Sequence, residues 1–521
     1  MLVRRLTTLA TTVALGLGLV TLQPAATSAG ASAAAATSAR PSKSARVGAG
    51  YLARQIDING DHLVSFGAPD ISNTAYAVLG LHAARVGKEQ GRRAIGFLKT
   101  QLHNLKGSDG KDDPGLLGYV IMAAVTSRED PTHFGGTARV NNLIERLRAT
   151  VHKSGPDAGL FGSADPTFDG AFRQGVALAA LASAGVARWR IEPSVTWLVN
   201  QQCGNALWTA YRSDLTKPCP AANPSTFEGP DTNSTSMAVQ GLAAYGSFPK
   251  KAGVVASLRH VQTADGGYSF VAAPGQSSDP DSTALVIQAF LAEKADPGAA
   301  VTALARFQLG CSDPAASRGA YFFPGSRTPN LFATVQAVPA AALRTLPLAA
   351  STPAADVPVT NCSASASAPS TATLTAATLT AATTTLAGTA GPCPAKTGVT
   401  VSVDFTAFGR GVHTRCAPGA QASGLAAMQH AGFTPAGTSR YGFAFICRIN
   451  NLPTPTQQAC ITTPPATAFW AYYHALAGAT TWTYSTLGAT SYKPPLGSID
   501  AWAFGKQAKP SKTPAQVRAG T

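Results

Sequence analysis

One pattern returns six times in the first part of this chain, and few folds can accommodate that. Tyr51-Leu52-Ala53-Arg54-Gln55 opens the series, and Phe97-Leu98-Lys99-Thr100-Gln101 follows 46 residues later. Then come Leu143-Ile144-Glu145-Arg146-Leu147, Trp197-Leu198-Val199-Asn200-Gln201, Leu258-Arg259-His260-Val261-Gln262 and Leu304-Ala305-Arg306-Phe307-Gln308. Each reads as a helix that leads into a Gly/Asp-rich turn, a polar or acidic cluster and a second, apolar helix. The second helices recur in phase: TAYAVLGL at 74–81, GVALAAL at 175–181, TSMAVQGL at 235–242, TALVIQAF at 283–290 and TVQAVPAAAL at 334–343. Residues 118–125 fit the pattern less closely.

The second helices are apolar nearly all round and should be buried, whereas the first carry Lys, Arg and Glu on one face. A period of about 46 residues with two helices per period means stacked helical hairpins. Six such units can close into a ring, which removes the exposed ends an open array must cap. The inner helices then surround the axis, and the loops leading into them form one mouth.

The ring is expected over residues 47–348, after a disordered stretch at 34–46. Residues 349–394 are rich in Ala, Thr, Ser and Pro, cannot bury a core and read as a linker. Residues 395–505 change character again. Val399-Thr400-Val401-Ser402-Val403-Asp404-Phe405 alternates as a strand does, residues 423–431 read as one short helix, and 441–449, 469–473, 481–484 and 499–504 read as further strands. The chain is therefore expected to be mainly α, with a small disulfide-braced β-rich domain after the ring. Lys506, Lys509, Lys512 and Arg518 mark 506–521 as a disordered basic tail.

The start reads as a secretory signal over 1–33: Arg4 and Arg5, an apolar run at 6–20, then small residues such as Ala31-Ser32-Ala33. No later segment is long and apolar enough to span a membrane. The eight cysteines, none in a Cys-x-x-Cys pair, read as disulfides of a secreted protein and not as zinc ligands. Proximity pairs them as Cys203–Cys219, Cys311–Cys362, Cys393–Cys416 and Cys447–Cys460. The net charge of +15 includes five cations before the ring (Arg4, Arg5, Arg40, Lys43, Arg46) and four in the tail. With no basic stripe, nucleic acid is not an expected partner. Attraction to an anionic cell-envelope surface is the expectation that this charge leaves.

Two segments carry a resemblance. Gln262-Thr263-Ala264-Asp265-Gly266-Gly267-Tyr268-Ser269-Phe270 resembles the Gln…Asp-Gly-Gly-aromatic turn of the prenyltransferase/squalene-cyclase repeat superfamily. Asp279-Pro280-Asp281-Ser282-Thr283-Ala284 is similar to the acidic cluster that opens inner helices there. The resemblance implies an (α/α)6 toroid. Toroid, linker and small β domain with late aromatic strands together resemble the cobalamin carriers, intrinsic factor and transcobalamin. That layout implies a small-molecule ligand, a corrinoid such as cobalamin, between ring mouth and β domain, with no cofactor otherwise implied.

The polar residues before the inner helices are the candidate ligand site: Asp70, Asn73, Asp113, Asp169, Asp231, Asn233, Asp279 and Asp281. Asp, Asn, Ser and Thr are also preferred helix N-caps, so capping is the competing role. Phe172 and Tyr268, with Tyr119, Phe161, Trp208 and Phe270, stand near the repeat turns as cavity-lining or core residues. In the β domain Trp470 and Trp482 are candidates for a ligand-facing surface, with Tyr472 and Tyr484; period-2 alternation puts Trp470 and Tyr472 on one face and Trp482 and Tyr484 on another. The catalytic alternative is a class II terpene cyclase. In that family's Asp-x-Asp-Asp-Thr-Ala motif the middle acid protonates an alkene, which makes Asp281 the proton donor beside Asp279. Ser282 stands where the motif has its third acid, and Asp231-Thr232-Asn233-Ser234-Thr235 repeats the cap pattern without the second. A ring-type polysaccharide lyase or hydrolase using Asp113, Asp169, Asp231 and Asp281 is a further reading. So is a non-enzymatic envelope protein with a side-chain-filled ring.

Overall fold

The computed structural model describes residues 40–521 apart from 66–67, 108, 167–168, 225–226, 247–252, 325–326, 363–387, 395, 439–441, 459, 461–463, 466, 486–487 and 491. The expected signal segment lies outside the described residues, as do positions 363–387 of the expected linker.

Twelve helices are described between residues 43 and 341. They are α1 (Lys43–Ile58), α2 (Ile71–Ala84), α3 (Lys88–Thr100), α4 (Pro114–Thr126), α5 (Leu143–Ala149), α6 (Ala171–Ser183), α7 (Glu192–Asn200), α8 (Thr232–Ala243), α9 (Val254–His260), α10 (Pro280–Ala292), α11 (Ala299–Ala305) and α12 (Leu331–Ala341). Odd-numbered helices bury one stripe, as α3 does with Gly91, Ala94, Ile95 and Leu98. Even-numbered helices are buried on every side, as α10 is from residue 280 to 290. Each even-numbered helix packs on the next, from α2 through α12, and α12 packs back on α2, so the inner series closes into a ring. Small residues permit the tightest of these contacts. A Cβ on Gly175 would fall 2.1 Å from the Met237 carbonyl oxygen, and one on Gly241 would fall 2.5 Å from that of Gly175. Such an α/α toroid agrees with the repeat reading.

A repeated hydrogen-bond device sets where each inner helix begins. The Thr74 hydroxyl accepts from Leu63 N (2.9 Å) and donates to the Asp70 carbonyl. Thr235 does the same between Trp208 N and the Asp231 carbonyl, and Thr334 between Tyr321 N and the Asn330 carbonyl. Thr283 accepts from Tyr268 N. In α6 an amide replaces the hydroxyl: Gln174 accepts from Phe161 N and donates to the Phe161 carbonyl. These bonds satisfy buried backbone groups where the chain leaves each outer helix. Short ladders, β1 (Val64–Ser65) with β2 (Ala68–Pro69) and β3 (Trp208–Thr209) with β4 (Pro230–Asp231), serve the same turns.

The chain after α12 departs from the expected linker. Residues 345–362 run as an ordered strap across the end of the ring where the inner helices finish. Leu346 N donates to Gln240 Oε1 (3.0 Å), Ser351 N to the Thr126 carbonyl (3.1 Å) and Gly87 N to the Asp356 carbonyl (2.9 Å). Arg54 Nη1 donates to the Pro358 carbonyl, and a disulfide joins Cys362 to Cys311. Backbone bonds are indifferent to side-chain composition, so an Ala/Thr/Pro-rich stretch can be fixed without a core of its own. The expected disorder at 34–46 is also corrected at its end. The Ser42 side chain caps α1, whose first residue is Lys43.

The second domain holds a six-stranded sheet in the order β11-β10-β12-β6-β7-β5. Its strands are β5 (Thr389–Ala390), β6 (Gly398–Asp404), β7 (Val412–Pro418), β10 (Phe469–Ala475), β11 (Thr483–Tyr484) and β12 (Ile499–Gly505). The hairpin β8 (Pro435–Thr438) with β9 (Gly442–Ile449) stands beside it. β12 and β6 run parallel, and the other neighbours in the sheet antiparallel. Helix α13 (Gly424–His430) covers one face, burying Leu425 and Met428 with Val399, Val401, Val403, Trp470, Tyr472 and Trp502. The other face, with Tyr473 and Trp482, is covered by the chain's end, so 506–521 is not a disordered tail. Helix α14 (Pro514–Ala519) starts in a Thr513/Gln516 capping box and buries Val517. Ser511 N donates to Asp404 Oδ2 (2.7 Å), and Arg518 donates to the Leu476 and Ala479 carbonyls. Four disulfides join the cysteines in the sequence-adjacent pairs. With no described helix long and apolar enough to cross a membrane, they are consistent with an extracellular protein.

Candidate functional site

The acidic residues ahead of the inner helices gather at one end of the ring, and most are helix caps. Asp70 accepts from Asn73 N, Asp231 from Ser234 N (2.6 Å), and Asp279 from both Ser282 N and Ser282 Oγ (2.8 Å each). Asp113 accepts from Gly115 N and Leu116 N. Asp169 departs from the pattern, because Gly170 is the cap of α6. Its carboxylate instead accepts from Ser163 N and Asp165 N and pairs with Arg173 Nη1 (2.8 Å). The other arm of Arg173 reaches Asp113 (2.9 Å), so one guanidinium joins two of the candidate acids. Asn330 caps α12 and was missed because its repeat carries an amide, not a carboxylate, at the cap position. Asn73 bonds Asp70 Oδ2, and Asn233 accepts from Thr232 Oγ1, so both amides are engaged at the helix starts. Burial pushes the Asp279 carboxyl above the usual carboxylate range.

The ring axis below these caps is filled. Each inner helix can be counted from its anchoring position: Thr74, Leu117, Gln174, Thr235, Thr283 and Thr334. The positions two before, two after and five after lie within about 60° on a 3.6-residue helix. Tyr76 and Tyr119 occupy the second of these, and their rings stack at 5.0 Å. Tyr76 Oη reaches Gln288 Oε1 on α10 (3.5 Å), and Asp281 is close enough to oppose Tyr76 ionisation. These contacts identify the axial face. In the middle layer Tyr76, Tyr119, Val176, Met237, Leu285 and Gln336 are all buried, and in the lower layer so are Leu79, Met122, Ala179, Gln240, Gln288 and Pro339. Leu346 and Thr345 of the strap bond Gln240 Oε1 and close the base. Only the top layer opens: Ser72, Gly115, Phe172 and Phe332 are half-buried, whereas Asn233 and Asp281 are buried, Asp281 to 2% exposure.

The β domain meets the ring at this same end. Phe227, in the loop leading into α8, is 41% exposed and packs on Phe270 (6.3 Å between centroids) and on Phe445 of β9 (4.9 Å). Sequence reasoning missed Phe227 and Phe445, because neither stands in a repeat motif.

Three candidates fall elsewhere. Tyr268 is wholly buried as a turn anchor, edge-on to Phe290. Trp470 packs in the β-domain core on Phe405, Phe408 and Phe504, with its indole N–H on the Leu452 carbonyl (3.0 Å). Trp482 donates to the Lys512 carbonyl (2.8 Å) beneath the chain's end. Trp470 and Tyr472 share one face of the sheet, as alternation predicts, and α13 packs on that face.

No protein-family model matches the chain, and no curated protein matches it. Among solved structures it is similar to an unsaturated glucuronyl hydrolase specific for heparin, at 13% identity and TM-score 0.42 over 57% of this chain and 95% of that one. It is also similar to the type II terpene cyclase MstE from Scytonema, at 16% identity and TM-score 0.39 over 57% and 96%. A polysaccharide lyase aligns at 14% identity and TM-score 0.38 over 58% and 97%.

Proposed function

We propose that the protein is a non-catalytic extracellular binder of a flat, amide-rich small molecule of the corrinoid class, held at the rim that ring mouth and β domain share. The observation that carries this reading is Phe227. A large apolar ring left 41% exposed, touching Phe270 of the toroid and Phe445 of β9 at once, joins the two domains at the open end. Phe172 and Phe332 supply further half-buried aromatic surface in the top layer of the ring.

The buried axis argues against the cyclase reading. A class II cyclase needs its acid to reach an alkene, yet Asp281 lies beneath the mouth, with the axial layers under it filled. Native mass spectrometry of the purified protein with cobalamin, and with a porphyrin as the flat control, tests the proposal. A one-to-one cobalamin complex is expected, weakened about tenfold by Phe227→Ala, the loss of one aromatic contact. No bound species at micromolar cobalamin removes the corrinoid identity, and undiminished binding by Phe227→Ala removes the location. Turnover of an isoprenoid that disappears in Asp281→Asn would reinstate the enzyme.

A further inference from the structure

The end of the ring away from the mouth, which the strap at 345–362 crosses, is built differently. Each inner helix leaves there through a left-handed residue: Arg85 (φ 55°), Arg128 (63°), Gly185 (72°), Gly246 (65°), Lys294 (57°) and Leu343 (53°). Glycine is the residue that conformation favours, and only two of the six positions keep it. The next N–H closes back on the last turn, as in Val86 N to the Leu81 carbonyl, Ala295 N to that of Phe290 and Arg344 N to that of Pro339.

A cation at a helix C-terminus is favoured by the helix dipole, which accounts for Arg85, Arg128 and Lys294. It does not account for Leu343, strained in backbone and 46% exposed. Nor does it account for Trp189, 72% exposed in the turn Arg188–Arg190 that follows α6, with the Arg190 guanidinium 4.5 Å from its ring. Because α6 and α12 stand opposite each other in the closed ring, Trp189 and Leu343 mark opposite edges of this face, with the cations distributed between them. Of the acids nearby, Glu129, Glu192 and Asp356 are paired with Lys99, Arg188 and Arg46, and Glu293 and Asp296 flank Lys294.

We propose that this face docks peripherally on an anionic lipid bilayer. A flat, negatively charged surface with an apolar layer beneath is the one occupant that engages both edges and the cations together. Trp189 enters the headgroup region with Arg190 at its polar margin, Leu343 does so across the ring, and the exposed Arg128 and Lys294 face lipid phosphates. A soluble polyanion would use the cations and give Trp189 and Leu343 no role. No described helix can cross a membrane, so the attachment is superficial.

Co-sedimentation of the purified protein with vesicles of equimolar phosphatidylglycerol and phosphatidylcholine, against pure phosphatidylcholine, tests this. Binding is expected to the anionic vesicles, to weaken with added salt, and to fall about fivefold for each of Arg128→Gln and Lys294→Gln. Trp189→Ala and Leu343→Gly should weaken it as well; the glycine also relieves the left-handed backbone, so a fall there is not a loss of folding. No sedimentation with anionic vesicles overturns the proposal. Salt-sensitive binding indifferent to both apolar substitutions overturns it too, and assigns the face to a polyanion.

Discussion

The capping carboxylates of the toroid and Asp500 of the β domain are satisfied in opposite ways. In the ring, the side chains that start the inner helices are buried in the company of backbone. The carboxylates of Asp70, Asp113, Asp231 and Asp279 each accept at least one N–H, and Thr74, Thr235, Thr283 and Thr334 each accept another. In the β domain, Asp500 on β12 is fully buried, and among the described residues its carboxylate takes one bond, from Tyr472 Oη (2.7 Å), and none at Oδ1. Repetition spreads the cost of these carboxylates over local backbone bonds, and on the sheet Asp404 is likewise met by Thr406 N and Ser511 N, whereas Asp500 rests on one hydroxyl.

That contrast predicts its own largest effect. Burial pushes the Asp500 carboxyl up to about 7, the Tyr472 bond opposing it. The folded state therefore holds this proton more tightly than the unfolded chain does. The stability it contributes is complete below about pH 4 and is lost as pH rises through about 7, a difference of about 4 kcal/mol at most. Denaturant unfolding at pH 5 and pH 8, followed by near-ultraviolet circular dichroism, should show the β domain weaker at the higher pH. Asp500→Asn should remove most of that dependence, and a variant as pH-sensitive as the parent would show that the carboxyl is not the cause.

In the ring the counterpart is steric. Gly175→Ala places a methyl against the Met237 carbonyl oxygen, and neither backbone can retreat from a closed ring. A loss of about 3 kcal/mol is expected in the toroid transition, with the β-domain transition unmoved. A cost below about 1 kcal/mol would mean that the α6–α8 contact is looser than the structure has it.

The same contrast explains what was legible beforehand. Repeats averaged out local noise, so paired helices, buried inner segments and acidic starts could be read from residues 51–343. The β domain offered one copy of everything. Its alternation correctly grouped Trp470 with Tyr472, yet nothing in the pattern said that α13 would cover them. The strap at 345–362 and the end of the chain were misread for one reason. Composition reports whether a segment can make a core, and these segments are held by backbone hydrogen bonds, a disulfide and a few buried side chains such as Leu346 and Val517. Phe227, Asn330 and Arg173 were missed because each departs from its repeat.

The smallest predicted effect probes the device that made the ring legible. Thr235→Val keeps shape but removes the acceptor for Trp208 N and the donor to the Asp231 carbonyl, leaving a buried N–H unsatisfied. About 2 kcal/mol should be lost from the toroid transition. Thr235→Ser keeps both bonds and forfeits only a buried methyl, about 1 kcal/mol. The difference between the two isolates the hydroxyl. Gln174 shows that the backbone demands a hydrogen-bonding group and not threonine itself, since its amide serves Phe161 in α6. If valine and serine cost the same at 235, the recurring threonine serves packing, and the starts of the inner helices are fixed by their carboxylate caps alone.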